Sequence, residues 1–137
     1  MKYLLDTCVV SELRKPTCSA KVLDWFASIK LAEVYIPAVV LGELQKGIAS
    51  LDVGGKKVAL QQWLDGLVKT FASRIVDFDS EAAFVWGRRF AELAKVGKTP
   101  AVVDSQIAAT AIANDMMLIT RNVDDMVGMS PRIYNPF

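Results

Sequence analysis

The stretch Tyr3-Leu4-Leu5-Asp6-Thr7-Cys8-Val9-Val10-Ser11-Glu12-Leu13 decides how the whole chain is read. A continuous apolar run stops abruptly at an acid and a hydroxyl. So short a run fits a strand buried on both faces, with polar residues at its carboxyl end. Asp6 then has two roles open to it. It can cap a following helix that contains Val9 to Leu13, or it can serve as a functional acid at the strand end.

The same pattern recurs outward from that stretch. Val34-Tyr35-Ile36 ends at Pro37, Ile75-Val76 lies between Arg74 and Phe78, and Met117-Leu118-Ile119 ends at Thr120-Arg121-Asn122. Ile133-Tyr134 is a last candidate strand. Between these runs lie helical stripes: Val22/Leu23/Phe26/Ile29, Leu41/Leu44/Ile48/Leu51, Leu60/Leu64/Leu67/Val68/Phe71, Ala83/Gly87/Phe90/Ala94 and Ile107/Ala108/Ala111/Ile112. Asp52-Val53-Gly54-Gly55 reads as a turn between two helices. Strands alternating with helices predict an α/β fold in a single domain, residues 1–137, with a mainly parallel central sheet of about five strands flanked by helices. No internal repeat or interdomain linker interrupts it. In such a sheet ligands bind at the carboxyl ends of the strands.

Composition narrows the chemistry. The 137 residues contain no histidine, which removes imidazole acid–base catalysis, Ser-His and Cys-His nucleophiles and His-ligated metals. Sixteen Lys and Arg face fifteen Asp and Glu, so the net charge of +1 carries no polyanion signature. Cys8 and Cys18 are expected as reduced thiols, in a protein of the cytoplasm with no signal peptide and no membrane span.

Attention therefore falls on carboxylates near strand ends. Asp6 follows the first strand. Glu43 lies early in the helix that begins after Pro37, offset from the centre of its apolar stripe, and it can face the same rim. Thr99-Pro100 predicts a helix start, with Thr as cap and Pro in the first turn. Asp104 then sits near that helix's amino end among Ala101, Ile107 and Ala108, where an unpaired carboxylate is costly to bury. Each acid alone has an ordinary reading as a cap or a solvated side chain. Together they would repel one another unless a cation joined them. An oxygen-only donor set points to Mg²⁺ or Mn²⁺ rather than Zn²⁺, and such a site can activate water and stabilise charge on a phosphoryl group.

Four motifs in order carry a resemblance to PIN-domain nucleases: Leu4-Leu5-Asp6-Thr7-Cys8-Val9-Val10-Ser11-Glu12-Leu13, Ile36-Pro37-Ala38-Val39-Val40-Leu41-Gly42-Glu43-Leu44, Asp104-Ser105-Gln106-Ile107-Ala108-Ala109-Thr110-Ala111, and Leu118-Ile119-Thr120-Arg121-Asn122-Val123-Asp124-Asp125-Met126. The ending Ile133-Tyr134-Asn135-Pro136-Phe137 resembles the close of the VapC/FitB branch. The resemblance implies a metal-dependent endoribonuclease, the toxin of a VapBC-type toxin–antitoxin pair, acting on tRNA or another structured RNA. It implies a homodimer and a VapB-like antitoxin partner. Asp6, Glu43 and Asp104 match the metal-binding acids, with Mg²⁺ or Mn²⁺ as cofactor. Thr7, Ser11 and Thr120 match supporting hydroxyls, and Asp125 matches an accessory catalytic acid. Asn122 stands where many relatives place Asp, as a neutral ligand or orienting group.

Setting aside Asp6, Glu43, Asp104 and Asp125 leaves +5 for the remainder, so a basic surface can surround an acidic pocket. Arg121, beside the fourth motif, is the foremost candidate RNA contact, and Lys98 is a weaker one. Trp25, Trp63, Trp86, Phe26, Phe71 and Phe90 are expected in packing rather than base stacking. Competing readings fit less well. A receiver domain needs paired acids after its first strand, and a dehalogenase-like phosphatase needs Asp-x-Asp where this chain has Cys8. A catalytically degraded PIN-like module that binds RNA or protein stays open because of Asn122.

Overall fold

A computed structural model describes residues 1–129 and 131–137, with Val127 by its backbone alone. The elements run β1 (Tyr3–Leu5), α1 (Thr7–Arg14), α2 (Ala20–Ala27), β2 (Val34–Pro37), α3 (Ala38–Ala49), α4 (Gly55–Thr70), β3 (Ile75–Val76), α5 (Ser80–Lys95), α6 (Val102–Ala113), β4 (Met117–Ile119), α7 (Val123–Met126) and β5 (Ile133–Tyr134). Short 3-10 turns cover Leu31–Glu33, Ala72–Arg74 and Val127–Met129. All five expected strands form, and Asp52 to Gly54 make the α3–α4 turn.

The sheet is parallel throughout, in the order β3-β2-β1-β4-β5. Its strands read as unbroken apolar runs because helices cover both faces. Leu4, Leu5, Ile36, Leu118 and Ile119 are buried, and α6 adds Ile107, Ala108, Ala109 and Ala111 to the same core. Helix α6 is apolar nearly all round, as a central helix must be. Its two buried hydroxyls are satisfied locally: Thr110 Oγ1 donates to the Gln106 carbonyl, and Ser105 Oγ donates to the Val102 carbonyl.

The chain reverses its direction across the sheet at β1. Helical connections lead from β1 to β2 and β3 on one side, while β4 and β5 add on the other. The gap between β1 and β4 is therefore the topological switch point, where a crevice opens beyond the strand ends. The backbone N–H of Asp6 donates to the Ile119 carbonyl at 3.0 Å and closes the bottom of that crevice.

One local expectation is corrected. Helix α6 begins at Val102, with Ala101 rather than Thr99 in the capping position and no side-chain cap. Pro100 pushes the residue before it into extended backbone, so Thr99 stays in the loop. The Ala101 carbonyl accepts the first helical bond, from Ser105 N–H at 2.9 Å. Asp104 keeps its place in the first turn, where the helix dipole favours a carboxylate.

The aromatic side chains pack as expected. Trp25 meets Tyr3 edge-on at 5.6 Å and stacks on Tyr134 at 6.2 Å between ring centres. Trp86 packs on Phe90 and donates its indole N–H to Ser105 Oγ at 2.9 Å, tying α5 to the helix that carries Asp104.

Candidate active site

Asp6 stands at the end of β1, only 2% exposed. Its cap role is realised, and its second oxygen has a partner of its own. Oδ1 accepts from Thr7 N–H at 2.8 Å and caps α1. Oδ2 accepts from Thr120 Oγ1 at 2.7 Å, across the switch point from β4. Thr120 is itself fully buried and accepts Asn122 N–H at 2.9 Å. A cap, a strand end and the start of the fourth motif thus hold one carboxylate in a fixed orientation.

Thr7 carries the connection to α3: its Oγ1 donates to Glu43 Oε1. Glu43 lines a cavity of about 340 Å³ together with Thr7 and Ser11. Asp104 comes from α6, half-buried. Burial raises its carboxyl above the ordinary range, and the negative charges of Asp6, Glu43 and Asp125 raise it further. The acids predicted from four separate motifs therefore lie within electrostatic reach of one another. Among the described residues no group of three or more acids or cysteines is gathered tightly enough to hold a metal ion as it stands. The carboxylates form a rim rather than a closed cage.

The donor chemistry of that rim fits a hard divalent cation. Every acid offers oxygen, no histidine is present, and like charges are left facing one another without a neighbouring cationic side chain on Asp104. Asp6, Glu43 and Asp104 are the residues that would hold such an ion.

The remaining expected residues divide. Ser11 lies beside Thr7 and Glu43. Asp125, exposed on α7, is close enough to act on Asp104. Asn122 contributes its backbone N–H to Thr120, while its side chain points to solvent. Arg121 is exposed and lies over the Phe137 ring at 4.5 Å, so the end of the chain props the guanidinium beside the fourth motif.

Two neighbours escaped the sequence reading. Cys8 Sγ lies 3.5 Å from Asp6 Oδ2 and 3.6 Å from Thr120 Oγ1, and burial raises its thiol. A thiol two residues beyond an acid carries no pattern that separates it from core. Glu12 is 8% exposed, and its Oε2 accepts Ser19 N–H at 2.9 Å at the entry to α2. That bond, with Lys15 beside it, holds the Glu12 carboxyl below the ordinary range. Its work is structural.

Comparison with known proteins shows the family and the fold. The sequence matches the PIN domain family over residues 3–126. It is 33% identical to Toxin FitB of Neisseria gonorrhoeae over 135 residues, 98% of this chain and 97% of that protein. It is 31% identical to VapC ribonuclease Y4jK of Sinorhizobium fredii over 135 residues, covering 98% and 96% of the two. Among solved structures, FitAcB from Neisseria gonorrhoeae superposes with a TM-score of 0.90 at 33% identity, over 98% of this chain and 97% of that one. VapBC2 from Rickettsia felis, bound to a promoter DNA fragment, superposes with a TM-score of 0.80 at 27% identity, over 98% of each chain.

Proposed function

The chain belongs to the PIN domain family, and on that footing we propose that it is a divalent-cation-dependent endoribonuclease, the toxin of a VapBC-type pair. The observation that carries this reading is the Asp6–Thr120 lock at the switch point, with Glu43 tied to it through Thr7 and Asp104 facing it. Asp6, Glu43 and Asp104 would hold a hard cation, Mg²⁺ or Mn²⁺, which when bound would stabilise phosphoryl charge as a Lewis acid and acidify water. The protein's own part is positional. Thr120 and the α1 amino end orient Asp6, Thr7 orients Glu43, and Trp86 through Ser105 steadies the first turn that bears Asp104. Asp125 is the accessory acid, and Arg121 holds substrate phosphate from the rim.

In this scheme water, activated at the cation, is the nucleophile rather than the ribose 2′-hydroxyl, and the products would carry 5′-phosphate and 3′-hydroxyl ends. The test incubates purified protein with structured RNA, a tRNA pool first, in Mg²⁺, Mn²⁺ or EDTA, and maps the new ends. Cuts dependent on the added cation, with 5′-phosphates, are expected. Cleavage that persists in EDTA, or that leaves 2′,3′-cyclic phosphates, would overturn the scheme. The bond Asn122 makes to Thr120 comes from its backbone N–H, which every residue except proline offers, so Asn122→Asp should keep it while adding a carboxylate to the rim.

The antitoxin seat follows from the cavities beside the acids. A groove of about 360 Å³ is lined by Leu13, Leu23, Phe26, Trp63 and Leu67. It shares Arg14 and Trp63 with the cavity that reaches Thr7 and Glu43, so a segment lying in it leads to the carboxylates. An arginine on that segment would pair with them and quench the site. Leu23 is 49% exposed, so Leu23→Asp leaves the core alone. It is expected to weaken the antitoxin complex tenfold or more, on the order of a hot-spot loss, with RNA cleavage unchanged; titration of each variant with antitoxin measures it. A homodimer acting in the cytoplasm completes the proposal, and sedimentation of the purified chain tests its stoichiometry.

A further inference from the structure

A third cavity meets the acidic rim at Asp125 and is separate from the antitoxin groove and from the cavity that reaches Glu43. It measures about 320 Å³ and is bounded by Leu93, Lys98, Thr99, Pro100, Asp124 and Asp125. That is near the roughly 300 Å³ at which small-ligand pockets begin. Asp125 belongs to both places, since it lines this cavity and acts electrostatically on Asp104. Ala101, which immediately precedes α6 and its first-turn Asp104, lines the cavity too, so an occupant lies beside the acidic rim.

The lining is built rather than incidental. Helix α5 ends in a Schellman turn: Gly97 takes φ 77°, its N–H donates to the Ala94 carbonyl at 3.1 Å, and Lys98 N–H donates to the Leu93 carbonyl at 2.9 Å. This geometry needs glycine, because other residues resist positive φ. It fixes the Lys98 backbone directly above the cavity. Gly128, also on the lining, approaches α5 so closely that a Cβ there would lie 3.2 Å from Leu93 Cδ2. Among the described residues neither Lys98 nor Asp124 forms an ion pair. The cavity thus presents one cation in Lys98, two carboxylates in Asp124 and Asp125, of which Asp125 belongs to the acidic rim, and apolar surface from Leu93 and Pro100.

We infer that this cavity is a nucleotide subsite that seats the residue next to the cut and reads an amino-bearing base. Lys98 pairs with the flanking phosphate. Leu93 and Pro100 face the base. Asp124 accepts from an exocyclic amino group, as acidic side chains do with cytosine N4, and it disfavours uracil, which offers no such donor. The inference rests on the ribonuclease reading, and it assigns that site a specificity element.

The test uses four short RNAs that differ only at the nucleotide beside the mapped cut. Binding is measured in EDTA by fluorescence anisotropy, and steady-state cleavage is measured in Mg²⁺. Lys98→Ala is expected to raise Kd and KM about tenfold with kcat within twofold, and Lys98→Arg to restore most of the loss. The wild type is expected to favour A, C or G over U by about tenfold or more, and Asp124→Asn to flatten that preference. Wild-type values of Kd, KM and base preference in both variants would overturn the subsite. So would an equal loss for all four bases in Asp124→Asn, which marks unspecific electrostatics. If the wild type binds RNA with these dependences but cuts none, the nuclease reading falls and the subsite stands. If it neither binds nor cuts, both fall.

Discussion

Asp104→Asn is expected to abolish RNA cleavage and, in the same protein, to raise the melting temperature measured in EDTA. The two effects have one cause. The folded state holds the Asp104 carboxyl above its ordinary value of 3.8, through burial and through Asp6, Glu43 and Asp125. A raised acid binds its proton more tightly when folded than when unfolded. Its contribution to stability is therefore complete below the ordinary value and is lost as pH rises through the raised one. At pH 7 the wild type carries the full penalty of the ionised group. The neutral amide removes it, so the variant should melt above the wild type, by an amount that solvent screening of this half-buried group keeps small. The gain should vanish when the pH falls below the ordinary carboxylate range.

Adding Mg²⁺ or Mn²⁺ should reverse the order. A cation that binds the folded state stabilises it by mass action, about 1.4 kcal/mol at ten times its Kd. The wild type gains this and the variant gains much less. Loss of one acid from the rim should lower kcat on the order of 10³-fold. Differential scanning fluorimetry with and without cation, beside the cleavage assay, reads all three effects. An Asp104→Asn protein that is less stable than wild type in EDTA, or equally active, would contradict this account of the rim.

Asp6→Ala should behave in the opposite sense and lose both activity and stability. Asp6 caps α1 and is the partner of the buried Thr120 hydroxyl. Losing a cap costs about 1 kcal/mol, and stranding a buried hydroxyl about 1–3. Together these amount to about 2–4 kcal/mol in chemical denaturation. Asp6→Asn separates the two roles. Asparagine caps as well as aspartate and still meets Thr120, so stability should stay within about 1 kcal/mol of wild type. Cleavage should still fall as far as in the alanine variant, because the charge is gone. Substantial cleavage by Asp6→Asn would leave Asp6 a structural cap only.

The contrast between these acids shows where legibility ended. Tyr3-Leu4-Leu5 and Met117-Leu118-Ile119 could be read as buried strands because a parallel sheet covered on both faces demands unbroken apolar runs. Asp6, Glu43 and Asp104 could be singled out because each lies at a strand end or an early helical turn. The start of α6 was misplaced because Thr and Pro are generic cap signals, while Ala101 carries none. Cys8 and Glu12 were not singled out because their partners, Thr120 and Ser19, become neighbours only through the fold.

The chain's own residues settle the alternation of strands and helices, the absence of imidazole chemistry and the set of acids, because these depend on local pattern and composition. Folding alone settles which acid is locked and which is left under strain. Asp6 gains Thr120, 114 positions away just past β4, while Asp104, in the first turn of α6, meets among the described residues the charges of Asp6, Glu43 and Asp125. It also brings Lys98 and Asp124 to the lining of one cavity with Asp125. Such pairings depend on strand order and helix packing, which bring together groups that no stretch of sequence holds side by side.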